Sequence, residues 1–354
     1  MALLIPALTS FLAALMAAGL LAQWRDRRRT FQVVWFVGMA CFAIASGCEA
    51  LAVAGGWDEQ LYRIWYLTGA VWTAGWLGLG NAFLLGRTRF GYGFALCLGL
   101  AGLFTFLTPR RFPEAYPDVG IVPLVYLLIA GTLAFSVAAA TWLGDWRWPR
   151  LAAAGVVGAT LLSLVLMVTT TLPAPGYAID PLTGAPTGEL LPGQLRLLTP
   201  FMNVTGAFAL ILGALFSAYV FMPKRRVLDH SLEPDQPGEH FLFQLFIAPV
   251  AITVNFVASL PGAFRALLAG QLHSRVPATL LIAAGALVPT VTDSLNRFGS
   301  TEYYALGKLV GMLLLLAGFL VSSETFAEVR VPFTSIVLRA RRTEPEPTGE
   351  PVVR

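Results

Sequence analysis

The stretch FQVVWFVGMACFAIASGCEALAVA, residues 31–54, decides the fold, because it is an apolar run that contains a single charged residue, Glu49. A run of about 20 apolar residues is long enough to cross the hydrocarbon core of a bilayer. The short polar break GGWDEQ at 55–60 follows it, and a second apolar run occupies 61–85 with Arg63 near its start. The two runs predict a transmembrane helical hairpin that carries one charge of each sign.

The composition extends this interpretation to the whole chain. Hydrophobic residues make up 56% of the chain and charged residues 12%, about half the charged share of soluble domains. The mean hydropathy of +0.70 agrees with a membrane protein. We expect an all-α protein, a polytopic transmembrane helix bundle of about nine spans, with eight and ten as the bounds. The predicted apolar segments are 3–22, 31–54, 61–85, 91–108, 119–142, 150–172, 200–222, 241–260, 276–292 and 304–322.

The basic residues of the predicted loops orient these spans. Loops 23–30, 86–90 and 223–226 are rich in Arg or Lys and fall on one side, as the positive-inside rule requires of the cytoplasmic side. Arg110 and Arg111 are exceptions on the other side. The charges of the first loop follow the first apolar segment, whereas a secretory signal peptide carries them before it. We therefore expect a retained first span with the N-terminus outside.

The C-terminal third leaves the number of crossings open. If all its apolar segments cross, the C-terminus lies outside, but the arginines that follow the last segment favour the inside. Segment 241–260 is the weakest candidate, because Gln244, Pro249 and Asn255 interrupt it. We expect this segment to be re-entrant or to lie in the membrane interface. Nine crossings with a cytoplasmic C-terminus are preferred, and ten are the alternative.

The same pattern divides the chain into four regions and contains one long connection. The connection is loop 173–199, which is rich in Pro and Gly and is expected either to pack over the outer helix ends or to act as a lid or docking surface. The regions are a seven-span N-terminal bundle at 1–222, a cytoplasmic linker at 223–240, membrane segments at 241–326 and a largely disordered cytoplasmic tail at 327–354.

The two charges of the hairpin form the first candidate site. Glu49 and Arg63 are equally distant from the centre of the polar break, so the hairpin brings them to the same depth. A charge at membrane depth is rare unless it is paired, lines a cavity or has a function. Helical spacing places Arg63 on one face with small residues and Asn81. We expect either an ion pair that fixes helix register or a site for a ligand, ion or proton. The candidate residues are Glu49, Arg63, Trp65, Trp72, Trp76 and Asn81.

A second polar cluster lies near the C-terminus. Asp293 and Lys308 are equally distant from the turn around Ser300, and Pro289 precedes them. A broken helix beside polar side chains is typical of ion or substrate sites in transporters. The alternative is a polar helix end that emerges among the headgroups, where ion pairs contribute little. The residues of this cluster are Asp293, Asn296, Arg297, Glu302 and Lys308.

Several kinds of chemistry find no support in the sequence. The net charge of +4 comes from short loops that orient spans, so no nucleic-acid partner is expected. His230, His240 and His273 fall in predicted loops or interfacial segments, which leaves no bis-histidine haem site inside the membrane. The sequence contains no CxxC, HExxH, P-loop or dinucleotide motif. We expect no metal and no cofactor, and an enzyme is the less favoured class.

Two resemblances guide the functional expectation. The Arg-rich loop 24–29, Glu49 and the segment Tyr62-Arg63-Ile64-Trp65-Tyr66 give the first seven spans the layout of the seven-helix sensor module of bacterial receptor histidine kinases. The whole chain resembles an uncharacterised family of bacterial multi-pass membrane proteins, and this implies a fold and a location but no activity. The segments that carry this second resemblance are 198–203, 255–262, 295–299 and 317–322.

These observations predict a non-enzymatic multi-pass protein of the bacterial cytoplasmic (inner) membrane that binds a ligand or a protein partner, as a sensor-like or accessory subunit. Arginine outnumbers lysine strongly, and Ala, Gly and Leu abound, which is typical of a GC-rich bacterial gene. The expected partners are the lipid bilayer and another membrane protein. The alternatives are a small-solute or ion transporter and an intramembrane lipid-modifying enzyme.

Overall fold

The structure is a computed structural model and is almost entirely helical. It describes residues 2–181, 184–228, 241, 243–269, 272–297, 303–322, 328–330 and 337–339, with the backbone alone at 243–244, 293–297 and the last two ranges. Its elements are α1 (Leu4–Arg27), α2 (Thr30–Gly55), α3 (Glu59–Trp65), a π-helical segment (Tyr66–Trp72), α4 (Thr73–Leu84), α5 (Phe90–Arg111), a 3₁₀ turn (Pro113–Ala115), α6 (Val122–Trp142), α7 (Trp148–Thr169), α8 (Gly193–Phe221), a π-helical turn (Phe243–Ile247), α9 (Ala248–Leu268), α10 (Arg275–Arg297), α11 (Tyr304–Val321), and strands β1 (Glu328–Arg330) and β2 (Val337–Arg339).

The length and hydropathy of the helices are those of a multi-pass membrane protein. Within the described ranges, nine helices are long and apolar enough to cross a membrane. The run from Glu59 to Leu84, which the π-helical segment divides into α3 and α4, is a further apolar helical element of that length. The predicted all-α transmembrane bundle is therefore confirmed.

The last helix returns along the first hairpin in the direction opposite to α2. Near the start of α11, Lys308 contacts Glu49 close to the end of α2. Near the end of α11, the ring of Phe319 lies 5.2 Å from that of Trp35 close to the start of α2. The two contacts fix α11 as antiparallel to α2 and place its ends at opposite ends of the bundle.

We name the two ends of the bundle by what lies there. The capped end is where α2 ends and α11 begins, and it carries the segment 170–192 between α7 and α8, which we call the capping segment. The basic end is where α8 and α11 end. It carries the turn 85–89 after α4 and the segment 222–228 after α8, both of which contain exposed arginines.

Small residues let α4 approach α8 closely. A Cβ atom added at Gly206 would lie 2.0 Å from the carbonyl oxygen of Ala74, and one at Gly78 would lie 2.5 Å from the carbonyl oxygen of Gly206. Further along α4, Asn81 donates from Nδ2 to the carbonyl of Leu210 at 2.9 Å. Small residues at a membrane helix interface permit such an approach, and an amide then bonds across it. The predicted packing face is confirmed for this part of the third span.

The π-helical segment changes which residues of the third span share a face. Its backbone bond from Thr73 to the carbonyl of Thr68 spans five residues instead of four. The helix therefore turns less per residue here than the α-helix on which the prediction was based. Arg63 consequently contacts the end of α7, whereas Asn81 contacts α8. The predicted single face from Arg63 to Asn81 is wrong for this reason.

Helix α9 is long enough to cross a membrane, but its described contacts lie at the basic end. The ring of Phe241, just before it, lies 6.0 Å from the ring of Trp142, the last residue of α6. Near its other end, Ala263 belongs to the same apolar cluster as Met222 and Val276, where α8 ends and α10 begins. Phe241, seven residues before α9, and Ala263 in the last two turns of α9 therefore both contact the basic half of the bundle. This placement supports the interfacial interpretation of the segment and nine crossings.

The C-terminal tail contains two short strands that were not predicted. β1 and β2 pair antiparallel, with Glu328 opposite Arg339. The region 327–354 was predicted to be largely disordered, and this stays a prediction. The rest of the region lies outside the described residues.

Candidate functional site

Glu49 is the centre of a buried polar cluster near the capped end. It lies in the last two turns of α2, and its side chain is only 11% exposed. One carboxylate oxygen accepts from Lys308 Nζ, and the other accepts from Trp65 Nε1 at 2.9 Å. A buried carboxylate costs several kcal/mol unless it is paired and hydrogen-bonded. We call the side chains of Glu49, Trp65 and Lys308 the Glu49 cluster. They join α2, α3 and α11.

Arg63 does not belong to this cluster, and the predicted ion pair between Glu49 and Arg63 is wrong. Its Nη2 lies 2.6 Å from Oε1 of Glu59, one turn earlier in α3. Its guanidinium also donates to the carbonyl of Thr170 at 2.6 Å and to that of Met167. These carbonyls lie at the end of α7, where the helix offers them no partner. Arg63 therefore caps α7, because its planar fork of donors reaches several oxygens at once.

Lys308 pairs across the bundle. Its Nζ contacts Glu49, which lies 259 positions away in the chain, and the predicted pairing with Asp293 falls on a side chain outside the described residues. The same ammonium lies 4.2 Å from the centroid of the Tyr304 ring, which further stabilises the charge. The rest of the second polar cluster lies outside what the structure describes, namely the side chains of Asp293, Asn296 and Arg297 and the whole of Glu302.

Aromatic rings surround the indole of Trp65, which donates a hydrogen bond to Glu49. The ring of Trp65 lies edge-on to those of Trp57 and Tyr66, at 5.9 and 6.0 Å between centroids, and stacks on Tyr62 at 6.0 Å. Edge-on and offset contacts of this kind are the favourable arrangements of aromatic pairs. They hold the indole in the orientation that donates to the carboxylate.

The capping segment closes over these rings. The hydroxyl of Tyr62, a fully buried residue, donates to the carbonyl of Thr187. Gly188 lies so close to Tyr66 that an added Cβ atom would be 2.8 Å from the ring. Tyr66 also shares a hydrogen bond of 2.8 Å with the hydroxyl of Thr199 at the start of α8. The loop therefore packs over the helix ends as one of the two interpretations predicted, and its role as a lid or docking surface stays a prediction.

The other predicted site residues lie apart from the cluster. Trp72 donates from Nε1 to Ser163 Oγ of α7 at 2.8 Å, and Asn81 bonds to α8. The indole nitrogen of Trp76 is buried without a hydrogen-bond partner in the part of the chain that the structure describes. The candidate tryptophans do not share one site, because the π-helical segment leaves Trp65 facing α2 and Trp72 facing α7.

The Glu49 cluster is a structural brace, by which we mean a set of bonded side chains that holds α2, α3 and α11 together. Its carboxylate, ammonium and indole are already bonded to one another. Across the described residues, no group of three or more His, Cys, Asp or Glu side chains is placed to hold a metal ion. Two open cavities lie at the capped end, and neither is lined by the cluster. The first is lined by Asp58, Glu59, Gln60, Arg63 and Val168, and the second includes Glu114, Asp118, Glu189 and Arg196.

Replacing Arg63 by Lys is expected to lower the free energy of unfolding by about 1–2 kcal/mol, because a single ammonium cannot reach both α7 carbonyls and Glu59. The measurement is reversible unfolding in mixed micelles. Arg110→Lys is the matched control, since Arg110 at the same end donates to the carbonyl of Phe106 in its own helix. Equal losses for both variants would show that Arg63 does not cap α7.

The interpretation of this site rests on its own contacts. No protein-family model matches the chain, and neither a curated protein nor a solved structure was found to be similar to it.

Proposed function

We propose that the chain is a non-enzymatic multi-pass protein of the bacterial cytoplasmic membrane that binds a ligand or a protein partner at its capped end, as a sensor-like or accessory subunit. In this proposal the capped end faces outward and the basic end faces the cytoplasm. Lys224, Arg225 and Arg226 at the basic end support this orientation, because short cytoplasmic loops carry an excess of basic residues.

The observation that carries the proposal is a chain of contacts from the capping segment to α11. Tyr62 bonds to the Thr187 carbonyl of the capping segment, and Trp65, on the same helix α3, bonds to Glu49. Glu49 in turn bonds to Lys308 of α11, whose other end lies at the basic end. A ligand that moves the capping segment would therefore shift the balance of contacts that hold α11. A coupling of this kind is what a sensor or accessory subunit requires.

Transport of a small solute or an ion is the alternative, and it requires a polar path that reaches both ends. On the basic side of the Glu49 cluster, a cluster of buried apolar residues packs among α1, α2, α4, α8, α10 and α11. Its buried members include Met16, Leu20, Met39, Leu77, Met312 and Phe319. A core of this composition favours binding over transport.

Replacing Tyr62 by Phe tests the coupling, because it removes the hydroxyl that holds the Thr187 carbonyl and keeps the ring. We expect faster amide hydrogen exchange at 184–191 and also at 304–310, where α11 begins. The measurement is hydrogen exchange with mass spectrometry on the protein in lipid nanodiscs. Binding itself is then sought as renewed protection of 184–191 when a periplasmic extract is added.

Tyr126→Phe is the matched control for this experiment. Tyr126 in α6 donates to the carbonyl of Gln194 at the same end of the bundle, but it belongs to neither α3 nor the capping segment. The control is expected to leave exchange at 304–310 unchanged. If Tyr62→Phe accelerates exchange at 184–191 alone, the capped end is not coupled to α11.

A further inference from the structure

Helix α9 has one narrow buried stripe and a wide apolar surface that nothing in the described protein covers. The buried stripe consists of small or polar residues, namely Ala248, Ala251, Asn255, Ser259 and Ala263. Opposite to it, Val250, Val257 and Phe264 are 57%, 57% and 61% exposed. An exposed apolar helix surface of this extent is unfavourable in water and favourable in lipid.

The polar stripe of α9 is occupied by the segment 222–228. Asn255 Oδ1 accepts from the backbone N–H groups of Val227 and Leu228, at 2.8 and 2.9 Å, and its Nδ2 donates to the carbonyl of Leu228 at 2.8 Å. Ser259 Oγ accepts from the backbone N–H of Arg225 at 2.8 Å. Side chains of α9 thus bind the backbone of this segment and do not occupy the side chains of Arg225 and Arg226, while Lys224 Nζ lies 5.8 Å from the centroid of the Tyr219 ring.

Three of the exposed side chains of this segment are cationic. Lys224, Arg225 and Arg226 are exposed, and none of them forms an ion pair with another described residue. Arg265 of α9 is also exposed. Most of α9 presents an apolar surface that carries no charged residue. The segment 222–228, which is bound to α9, contributes the cations. Together they form an amphipathic surface built from two pieces of chain.

We propose that α9 and the segment 222–228 together bind the anionic phospholipids of one leaflet, with α9 lying in the membrane interface and not crossing it. The middle of α9 bonds to the segment 222–228, and Ala263 near its end packs with Met222 and Val276, so its apolar side can enter the acyl region while the neighbouring cations reach the phosphates. An interfacial helix inserts about 5–10 Å, and juxtamembrane cations attract anionic lipid headgroups. The proposal does not depend on ligand binding at the capped end.

The depth of α9 in the bilayer is the first test. Single cysteines replace Val250, Val257 and Phe264 in a background without Cys41, Cys48 and Cys97, and each carries an environment-sensitive fluorophore. The protein is placed in vesicles that contain lipids spin-labelled at a shallow or a deep acyl position. We expect all three sites to be quenched more strongly by the shallow label. Stronger quenching by the deep label at Val257 than at the other two sites would show that α9 crosses, and would overturn the proposal.

The lipid preference is the second test. In nanodiscs of equal phosphatidylglycerol and phosphatidylcholine, we expect the detergent-released protein to retain several-fold more phosphatidylglycerol by native mass spectrometry. The triple variant K224Q, R225Q and R226Q should lose this preference, whereas the double variant R110Q and R111Q at the capped end should keep it. No preference in the unmodified protein, or an equal loss in both variants, would overturn the proposal.

Discussion

Replacing Glu49 by Gln is expected to lower the free energy of unfolding by about 3 kcal/mol, because the change leaves the Lys308 ammonium in a largely buried place without its counter-charge. Lys308 is only 12% exposed at its side chain, so water cannot replace the lost carboxylate fully. Trp65 also loses a charged acceptor for its indole N–H. The measurement is reversible unfolding of the purified protein in mixed micelles.

Glu59→Gln is the matched control for Glu49→Gln. Glu59 also forms an ion pair near the capped end, with Arg63, but its side chain is 46% exposed. Exposed pairs of this kind contribute about 0–1 kcal/mol. If the two variants lose equal stability, the burial of Glu49 has no energetic consequence and the Glu49 cluster is not a brace.

Replacing Gly206 by Ala is the second large expected effect. The new methyl would lie 2.0 Å from the carbonyl oxygen of Ala74 and 2.5 Å from the nitrogen of Gly75, both of them backbone atoms of the facing helix. Backbone atoms cannot rotate away as a side chain does, so the helices α4 and α8 must separate. Overpacking of this kind costs about 3 kcal/mol. We expect a large fall in folded yield and in thermal stability.

Gly158→Ala makes the same chemical change where there is room. Beyond the adjacent residues and the backbone of α7 itself, no described atom lies within 4 Å of a Cβ added at Gly158. Alanine is the better helix former by up to about 1 kcal/mol, so this variant is expected to be neutral or slightly more stable. Similar losses for Gly158→Ala and Gly206→Ala would contradict the close approach of α4 and α8.

The length of apolar runs predicts most of the helices because lipid imposes that length. The run 31–54 corresponds to α2 at Thr30–Gly55. The start of α8 was missed, because 173–199 was predicted to be a loop, whereas the helix begins at Gly193. Leu195 and Leu197 are fully buried, so burial against the bundle extends the helix through this region despite the proline.

The partners of the buried charges could not be predicted in the same way. The prediction paired Arg63 with Glu49 because the two residues are equally distant from the polar break and so lie at the same depth of one hairpin. Two features of the structure defeat it. Arg63 bonds to Glu59 and to the end of α7, and the true partner of Glu49, Lys308, comes from a helix far away in sequence. Glu49 itself was identified correctly as a buried charge. The free-energy cost of placing its carboxylate in an apolar run does not depend on which residue neutralises it.

The most direct test is a pair of double-mutant cycles that share Glu49→Gln. One cycle combines it with Lys308→Met and the other with Arg63→Gln, and unfolding free energies of the single and double variants give each coupling energy. The structure predicts a coupling of about 2 kcal/mol or more for Glu49 with Lys308 and a coupling near zero for Glu49 with Arg63. The opposite result, in which Glu49 couples to Arg63 and not to Lys308, would contradict the account.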